Sequence, residues 1–110
     1  PYSVFVIKGD PNIVCFNPKI VSNGDDETYM VEGCLSYPNL LIKVRRPVEI
    51  RTRFQVPSGA ITTKPFVGLT SRVFQHELDH LNGIAFFNRA NLYHKEQAFR
   101  KLKNDSRRAK

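Results

Sequence analysis

The sequence is short of the features that mark several large classes of protein. Its 110 residues include two cysteines, Cys15 and Cys34, so at most one disulfide can form. One disulfide is a sparse framework for a small secreted domain, and we expect both thiols to stay reduced. No apolar run approaches the roughly 20 residues that a membrane-spanning helix needs, and there are no repeats or low-complexity tracts. These absences leave a single globular domain with a modest core.

Acidic residues are outnumbered mainly at the C-terminal end. The chain has 17 Lys/Arg and 10 Asp/Glu, a formal net charge of +7. Residues 89–110 contain eight Lys/Arg and two Asp/Glu, a surplus of +6, whereas residues 1–88 have a surplus of only +1. We therefore expect a nearly neutral body followed by a basic helix or tail. Such a tail is typical of a surface that contacts a polyanion such as RNA, and equally of a solvated helix end.

Strands are predicted in the first two thirds of the chain. The segments are 2–8, 13–21, 48–56 and 60–66. In 48–56 apolar residues alternate with polar ones, which marks a half-buried antiparallel strand with Arg51 and Arg53 facing solvent. Pro18 predicts an edge position or a bulge in the second strand. Cys15, inside an apolar run, is predicted to be a small buried core residue.

The hydrophobic period changes to that of a helix after Gly68. Thr70 or Ser71 is suited to cap the start of this helix, and Gly83 stands where a left-handed residue would end it. A second helix is predicted from about Asn91 to Lys103. Strands followed by helices indicate an α+β fold.

The stretch QHELDHLNG, residues 75–83, contains two of the three histidines. Helical residues four apart lie on one face, so His76 and His80 can both reach one metal ion. Glu77 is placed to act as a general base beside the metal rather than as a third ligand, as in H-E-x-x-H sites. Asp79 is interpreted as a supporting or structural residue. The simpler alternative is an ordinary helix that contains two histidines.

A catalytic site of this type needs a third protein ligand and an open position. Cys34, in EGCLS at 32–36, is one candidate, because a thiolate binds borderline-soft divalent ions strongly. His94 and Glu96, on the predicted second helix, are the candidates that an ordinary metalloprotease would use. Spacing along the sequence leaves all three candidates open.

The segments EGCLS and QHELDHLNG, in this order and with a predicted hairpin between them, resemble the second and third motifs of the peptide deformylase family. The resemblance extends from about Ser3 to Arg89. This family removes the N-formyl group from the initiator formyl-methionine of new bacterial-type proteins. The resemblance implies antiparallel sheets packed around a central helix that carries the H-E-x-x-H, plus a C-terminal helix. It also implies N-formyl-methionyl peptides as substrates, no role for a membrane, and a cytoplasmic location in a bacterium or phage-infected cell, or an organelle.

On this resemblance, Cys34, His76 and His80 would bind one divalent metal ion. Iron(II) would be the physiological metal, with zinc, nickel or cobalt as replacements. Glu77 would act as general base and then as general acid. The backbone N–H of Leu35 would help to stabilise the oxyanion.

The resemblance also implies a substrate pocket. Arg72 is an unexpected residue in such a pocket, and we expect its aliphatic stem to line the wall while its guanidinium reaches solvent. The residues implied in substrate binding are Gly33, Leu35, Leu69, Arg72 and Val73.

The sequence departs from the family in one motif. Members carry a glycine-rich first motif, G-x-G-x-A-A-x-Q, upstream of the first strand, and its glutamine donates a hydrogen bond to the oxyanion. No such stretch occurs here. Three explanations are open: the segment lies outside this sequence, a separate polypeptide supplies it, or the protein lacks it. We expect the first, because Pro1 is not a natural start, and we interpret residues 1–88 as an N-terminally incomplete catalytic core.

Two other functions fit parts of the sequence. One is a zincin-like metallopeptidase with His94 or Glu96 as third ligand. The other is a metal-stabilised protein without catalytic activity, whose basic tail at 89–110 binds RNA or the ribosome. The tail is also compatible with the deformylase interpretation, because bacterial members of that family carry a C-terminal helix that can dock on the ribosome.

Overall fold

A computed structural model describes residues 3–108 and confirms the α+β class. The strands in this part of the chain are β1 (Val4–Ile7), β2 (Ile13–Asn23), β3 (Glu27–Cys34), β4 (Tyr37–Pro47), β5 (Glu49–Gln55) and β6 (Ile61–Val67). The helices are α1 (Gly68–Leu81), a 3-10 turn (Phe86–Arg89) and α2 (Leu92–Arg108). Over the described residues, no helix is both long enough and apolar enough to cross a membrane.

All four predicted strands are present, as β1, β2, β5 and β6, although Tyr2, at the start of the first predicted segment, lies outside the described residues. They form one antiparallel sheet in the order β1-β2-β5-β6. The pairing of β2 with β5 shifts register between Phe16 and Lys19, so Pro18 lies at a bulge, as its lack of an N–H predicts. The alternation in β5 is also confirmed: Ile50 and Phe54 are buried, whereas Arg51 and Arg53 are exposed.

The first of two compact units combines the chain up to Thr28 with Arg46–Gly83, and contains this sheet and α1. Phe74 of α1 is 0% exposed, and its ring meets that of Phe5 edge-on at 5.0 Å between centroids. Cys15 is fully buried in the same core, as predicted, and burial raises the pKa of its thiol to about 11. The thiol therefore stays protonated at neutral pH and packs as a small apolar group.

The second compact unit combines Tyr29–Arg45 with the chain from Ile84 onward. Strands β3 and β4 pair in a two-stranded sheet. The core of this unit consists of Leu40, Ile42, Val44 and Phe86. Helix α2 begins after Asn91, whose side-chain oxygen accepts a hydrogen bond from the His94 N–H at 2.8 Å, and it extends five residues beyond the predicted end.

The hairpin of β3 and β4 was not predicted from the sequence. Gly33 and Pro38 interrupt its regular pattern, although Leu40, Ile42 and Val44 alternate with exposed residues in the second strand. Alternation over this stretch is the signal that could have identified β4.

The predicted cap of α1 was wrong. Val67 occupies the N-cap position and makes no side-chain hydrogen bond there, and Thr70 and Ser71 lie inside the helix. The Ser71 hydroxyl is 3.5 Å from the carbonyl oxygen of Pro47, so it faces a tertiary partner instead of the helix end. The predicted end was right: Gly83 has φ of +73°, and its N–H donates to His80 O at 3.1 Å.

Candidate metal centre

Helix α1 presents the two histidines side by side. The ring centroids of His76 and His80 are 5.1 Å apart, as expected for helical residues four positions apart. His76 is half-buried and His80 is exposed. Glu77, the next residue after His76, is half-buried. The imidazoles are therefore accessible on a helix that Phe74 fixes in the core.

Cys34 lies at the end of β3, immediately before the turn to β4. Its side chain is half-buried and packs against the core of the second unit. The backbone is closely approached at Gly33, where an added Cβ would come within 2.9 Å of the Leu41 side chain. Leu35 follows with its side chain 99% exposed, which leaves its backbone N–H as the group that could serve a site.

Three of the candidate ligands come together. The thiol of Cys34 and a ring nitrogen of each of His76 and His80 all lie within 4.8 Å of one another. Two imidazoles and a thiol form a ligand set suited to zinc, iron(II) and similar divalent ions. Three protein ligands are also the number that catalytic zinc-type sites use. The residues present therefore fit a divalent transition metal.

The other two candidate third ligands are placed differently. Among the residues that the structure describes, neither His94 nor Glu96 belongs to a group of three potential ligands. The ring of His94 lies against those of Tyr29 and Tyr93, with centroids 5.6 and 5.5 Å away. The alternative of a zincin-like peptidase thus has no assembled ligand set in the described part of the chain.

Asp79 has the structural role expected of it. Its carboxylate accepts a hydrogen bond from Arg46 Nη1 at 2.9 Å, and the two side chains are 6% and 4% exposed. Arg46 was not among the residues predicted from the sequence. The signal was its position in β4, where it follows Leu40, Ile42 and Val44 in the alternating buried pattern.

The expectation for the head of Arg72 was wrong. Arg72 is only 6% exposed, and its Nη2 donates to the carbonyl oxygen of Thr28 at 2.7 Å. A charged donor buried in this way needs an acceptor, and the backbone supplies it. Of its predicted neighbours in the pocket, Leu69 is 67% exposed, whereas Val73 packs partly buried against the first core.

Most of this chain matches one known protein family. The polypeptide deformylase family model matches residues 4–96. A peptide deformylase from a Synechocystis species is 39% identical over 80 residues, which cover 73% of this chain and 43% of that protein. The crystal structure of a peptide deformylase from Synechococcus elongatus in complex with actinonin has a TM-score of 0.80 and 35% identity, covering 89% of this chain and 55% of that one.

A Met-Ala-Ser-bound class I type b peptide deformylase from Acinetobacter baumannii is also similar. The TM-score is 0.68 at 35% identity, and the match covers 71% of this chain and 49% of that one. The chain spans about half the length of the curated relatives it matches. The similarity therefore includes most of this chain and only part of each relative.

Proposed function

This chain belongs to the polypeptide deformylase family. We propose that it hydrolyses the N-formyl group of formyl-methionine at the N-terminus of nascent proteins, releasing formate. The main support for this proposal is the cluster of potential metal ligands formed by Cys34, His76 and His80. Glu77 directly follows His76 in the sequence. A metal-stabilised protein without catalytic activity would have no need of an acid–base group at Glu77.

The three grouped residues would hold one divalent metal ion. Members of the family depend on a metal, and we propose iron(II) as the physiological ion, with zinc, nickel or cobalt able to replace it. When bound, such an ion supplies Lewis acidity, which lowers the pKa of water towards about 7 and polarises a carbonyl oxygen. The thiolate of Cys34 would donate more charge to that ion than a carboxylate would.

Glu77 would carry the proton through the reaction. A formamide is unactivated, so attack by water needs a base to accept the proton and an acid to protonate the departing amine. Glu77 is half-buried and follows His76 in the sequence. Its single carboxylate would perform both tasks in turn. The backbone N–H of Leu35 would donate to the oxyanion that forms at the formyl oxygen.

The substrate would be a peptide with formyl-methionine at its N-terminus. A related structure contains Met-Ala-Ser, a peptide that begins with methionine. Around the methionine we propose backbone contacts at Gly33 and Leu35, and side-chain contacts from Leu69, Val73 and the stem of Arg72. Leu69 is the most exposed of these three side chains and has the most apolar surface to offer.

One sequence motif of the family has no counterpart in the 110 residues. The glycine-rich first motif, with its oxyanion-binding glutamine, does not occur in the sequence. Loss of one oxyanion donor typically costs about 10²- to 10³-fold in rate. We therefore expect the chain alone to bind metal and to hydrolyse the formamide slowly, and expect a supplied segment carrying that motif to raise the rate.

The test is formate release from a formyl-methionyl tripeptide under anaerobic conditions. The chain loaded with iron(II) or nickel would be compared with Glu77→Ala, which retains all three proposed ligands. We expect formate from the parent and at least about 10²-fold less from the variant. Full occupancy by metal without formate, even after the first-motif segment is supplied, would contradict the proposal.

We also propose the cytoplasm as the place of action and the ribosome as a partner of the basic segment at 89–110. Most of the chain's net charge lies there, and displaced phosphate counterions would favour binding to ribosomal RNA. Co-sedimentation with ribosomes should weaken as salt increases, and should weaken further when residues 104–110 are deleted. A distribution that responds to neither change would count against the partner.

A further inference from the structure

A row of buried polar side chains runs along α1 beside the histidine face. The three members are spaced by four residues, so they form one stripe about 12 Å long. Buried polar groups are costly unless each has a partner. The members, with their exposed fractions, are Ser71 (0%), Gln75 (6%) and Asp79 (5%).

The partners of this polar row come from two consecutive residues at the end of β4. Arg46 Nη1 donates to Asp79 Oδ2 at 2.9 Å. The carbonyl oxygen of Pro47 accepts from Gln75 Nε2 at 3.0 Å, and the Ser71 hydroxyl is 3.5 Å from the same oxygen. Gln75 Nε2 also donates to Ser71 Oγ at 3.0 Å. Polar contacts to Arg46 and Pro47 therefore hold the helix at both its first and last turns.

These contacts are directional, in contrast to the apolar packing of α1. Phe74 and Leu78 pack against the first core, and such contacts tolerate a small rotation of the helix about its axis. A hydrogen bond weakens steeply when its angle or length departs from the optimum. The hydrogen bonds of Gln75 and Asp79 thus fix the rotation of α1 about its axis more closely than the apolar packing does.

The ligand histidines are the residues that follow two members of the polar row. His76 follows Gln75, and His80 follows Asp79. We infer that the polar row, held by Arg46 and the Pro47 carbonyl, sets the rotation of α1 and thereby positions both imidazoles for metal binding. The inference rests on the proposed metal site. Arg46 and Asp79 are positioning residues in it, because they act through the helix.

The two partners of the ion pair can be replaced together. Replacing both partners of a buried ion pair by apolar residues of similar size is often neutral for stability, whereas removing one partner is strongly destabilising. The double variant Arg46→Met/Asp79→Leu therefore separates positioning from stability. Thr52→Val is the matched control, because it removes a buried hydrogen bond to Lys64 O (2.7 Å) in the same compact unit without touching the polar row.

The experiment is a titration of the metal-free full chain with zinc against a chromophoric chelator, with urea unfolding of each protein alongside. We expect the double variant to retain its unfolding midpoint and to bind zinc about 10- to 100-fold more weakly, as when residues that orient ligands are changed. Thr52→Val should show the reverse, a lower midpoint with zinc affinity unchanged. In the cobalt(II)-loaded double variant, the thiolate charge-transfer band should also shift.

Zinc affinity equal to that of the parent in the double variant would overturn the inference. Should that variant fail to fold, Gln75→Leu provides a second test, because it removes the contacts to Pro47 and Ser71 and retains the ion pair. We expect about 10-fold weaker zinc binding from it, and unchanged affinity would again overturn the inference. A parent that binds zinc and releases no formate would contradict the proposed function alone.

Discussion

Replacing Cys34 by serine is a direct test of the proposed metal centre, because the chain contains a matched control. The thiol of Cys34 lies within 4.8 Å of ligand nitrogens on His76 and His80. Cys15, in contrast, is 0% exposed within the first core. Cys34→Ser and Cys15→Ser make the same chemical change, so any difference between them reflects position.

We expect Cys34→Ser to weaken zinc binding by more than about 100-fold. A neutral hydroxyl is a poor ligand for a borderline-soft ion, and changes to groups that merely support the ligands already cost about 10- to 100-fold in affinity. Cys34 is half-buried at the end of a strand. Its replacement should therefore lower the free energy of unfolding of the metal-free protein less than the replacement of Cys15 does.

Cys15→Ser should give the opposite pattern. A serine hydroxyl placed among Phe5, Ile7 and Phe74 would lie in an apolar core. Burying a hydroxyl without a hydrogen-bond partner costs about 1–3 kcal/mol. The free energy of unfolding should fall by that amount, whereas the zinc affinity of the folded protein should equal that of the parent.

The assay combines a zinc titration in the presence of a competing chelator with urea unfolding of the metal-free proteins. Equal zinc affinities for the parent and Cys34→Ser would show that the thiol of Cys34 is not a ligand. That result would also return His94 and Glu96 as candidates for the third ligand.

Three further outcomes are expected. Phe74→Ala removes a fully buried ring that packs among Phe5, Phe54 and Phe66. It should lower the free energy of unfolding in urea by about 3–5 kcal/mol. A loss below about 1 kcal/mol would contradict the burial of this ring. Burial raises the pKa of the Cys15 thiol from 9.0 to about 11, so between these values the folded state keeps a proton that the unfolded state loses. The free energy of unfolding should therefore fall by up to about 2–3 kcal/mol between pH 9 and 11. Cys15→Ala should not show this pH-dependent loss. Zinc at 100 times its Kd should raise the free energy of unfolding by about 2.7 kcal/mol, reversibly with a chelator, and no response would count against binding to the folded state.

Much of the fold could be predicted from the sequence, because its signals are local. The alternation in 48–56 depends on the period of a strand, and the placing of His76 and His80 on one face depends on the pitch of a helix. Both were confirmed. The bulge at Pro18 and the left-handed conformation of Gly83 likewise follow from the covalent structure of single residues.

Several features could not be predicted, because they depend on residues distant in sequence. Ser71 was suited to cap α1, yet its hydroxyl faces Pro47, 24 residues away. The guanidinium of Arg72 was expected in solvent, yet it reaches the carbonyl of Thr28, 44 residues away. A local sequence pattern predicts which functional group a side chain carries and which face of the element it lies on. The hydrogen-bond acceptor of that group depends on how distant segments pack.

The same division applies to the site. Residue identity and spacing within one helix are enough to predict the donor types, the helical pair of histidines and the glutamate beside them. The folded structure was needed to show that Cys34, rather than His94 or Glu96, lies beside the pair, and that Arg46 is the partner of Asp79. The physical reason is that ligand atoms must meet within a few ångströms, and the folded path of the chain sets that separation.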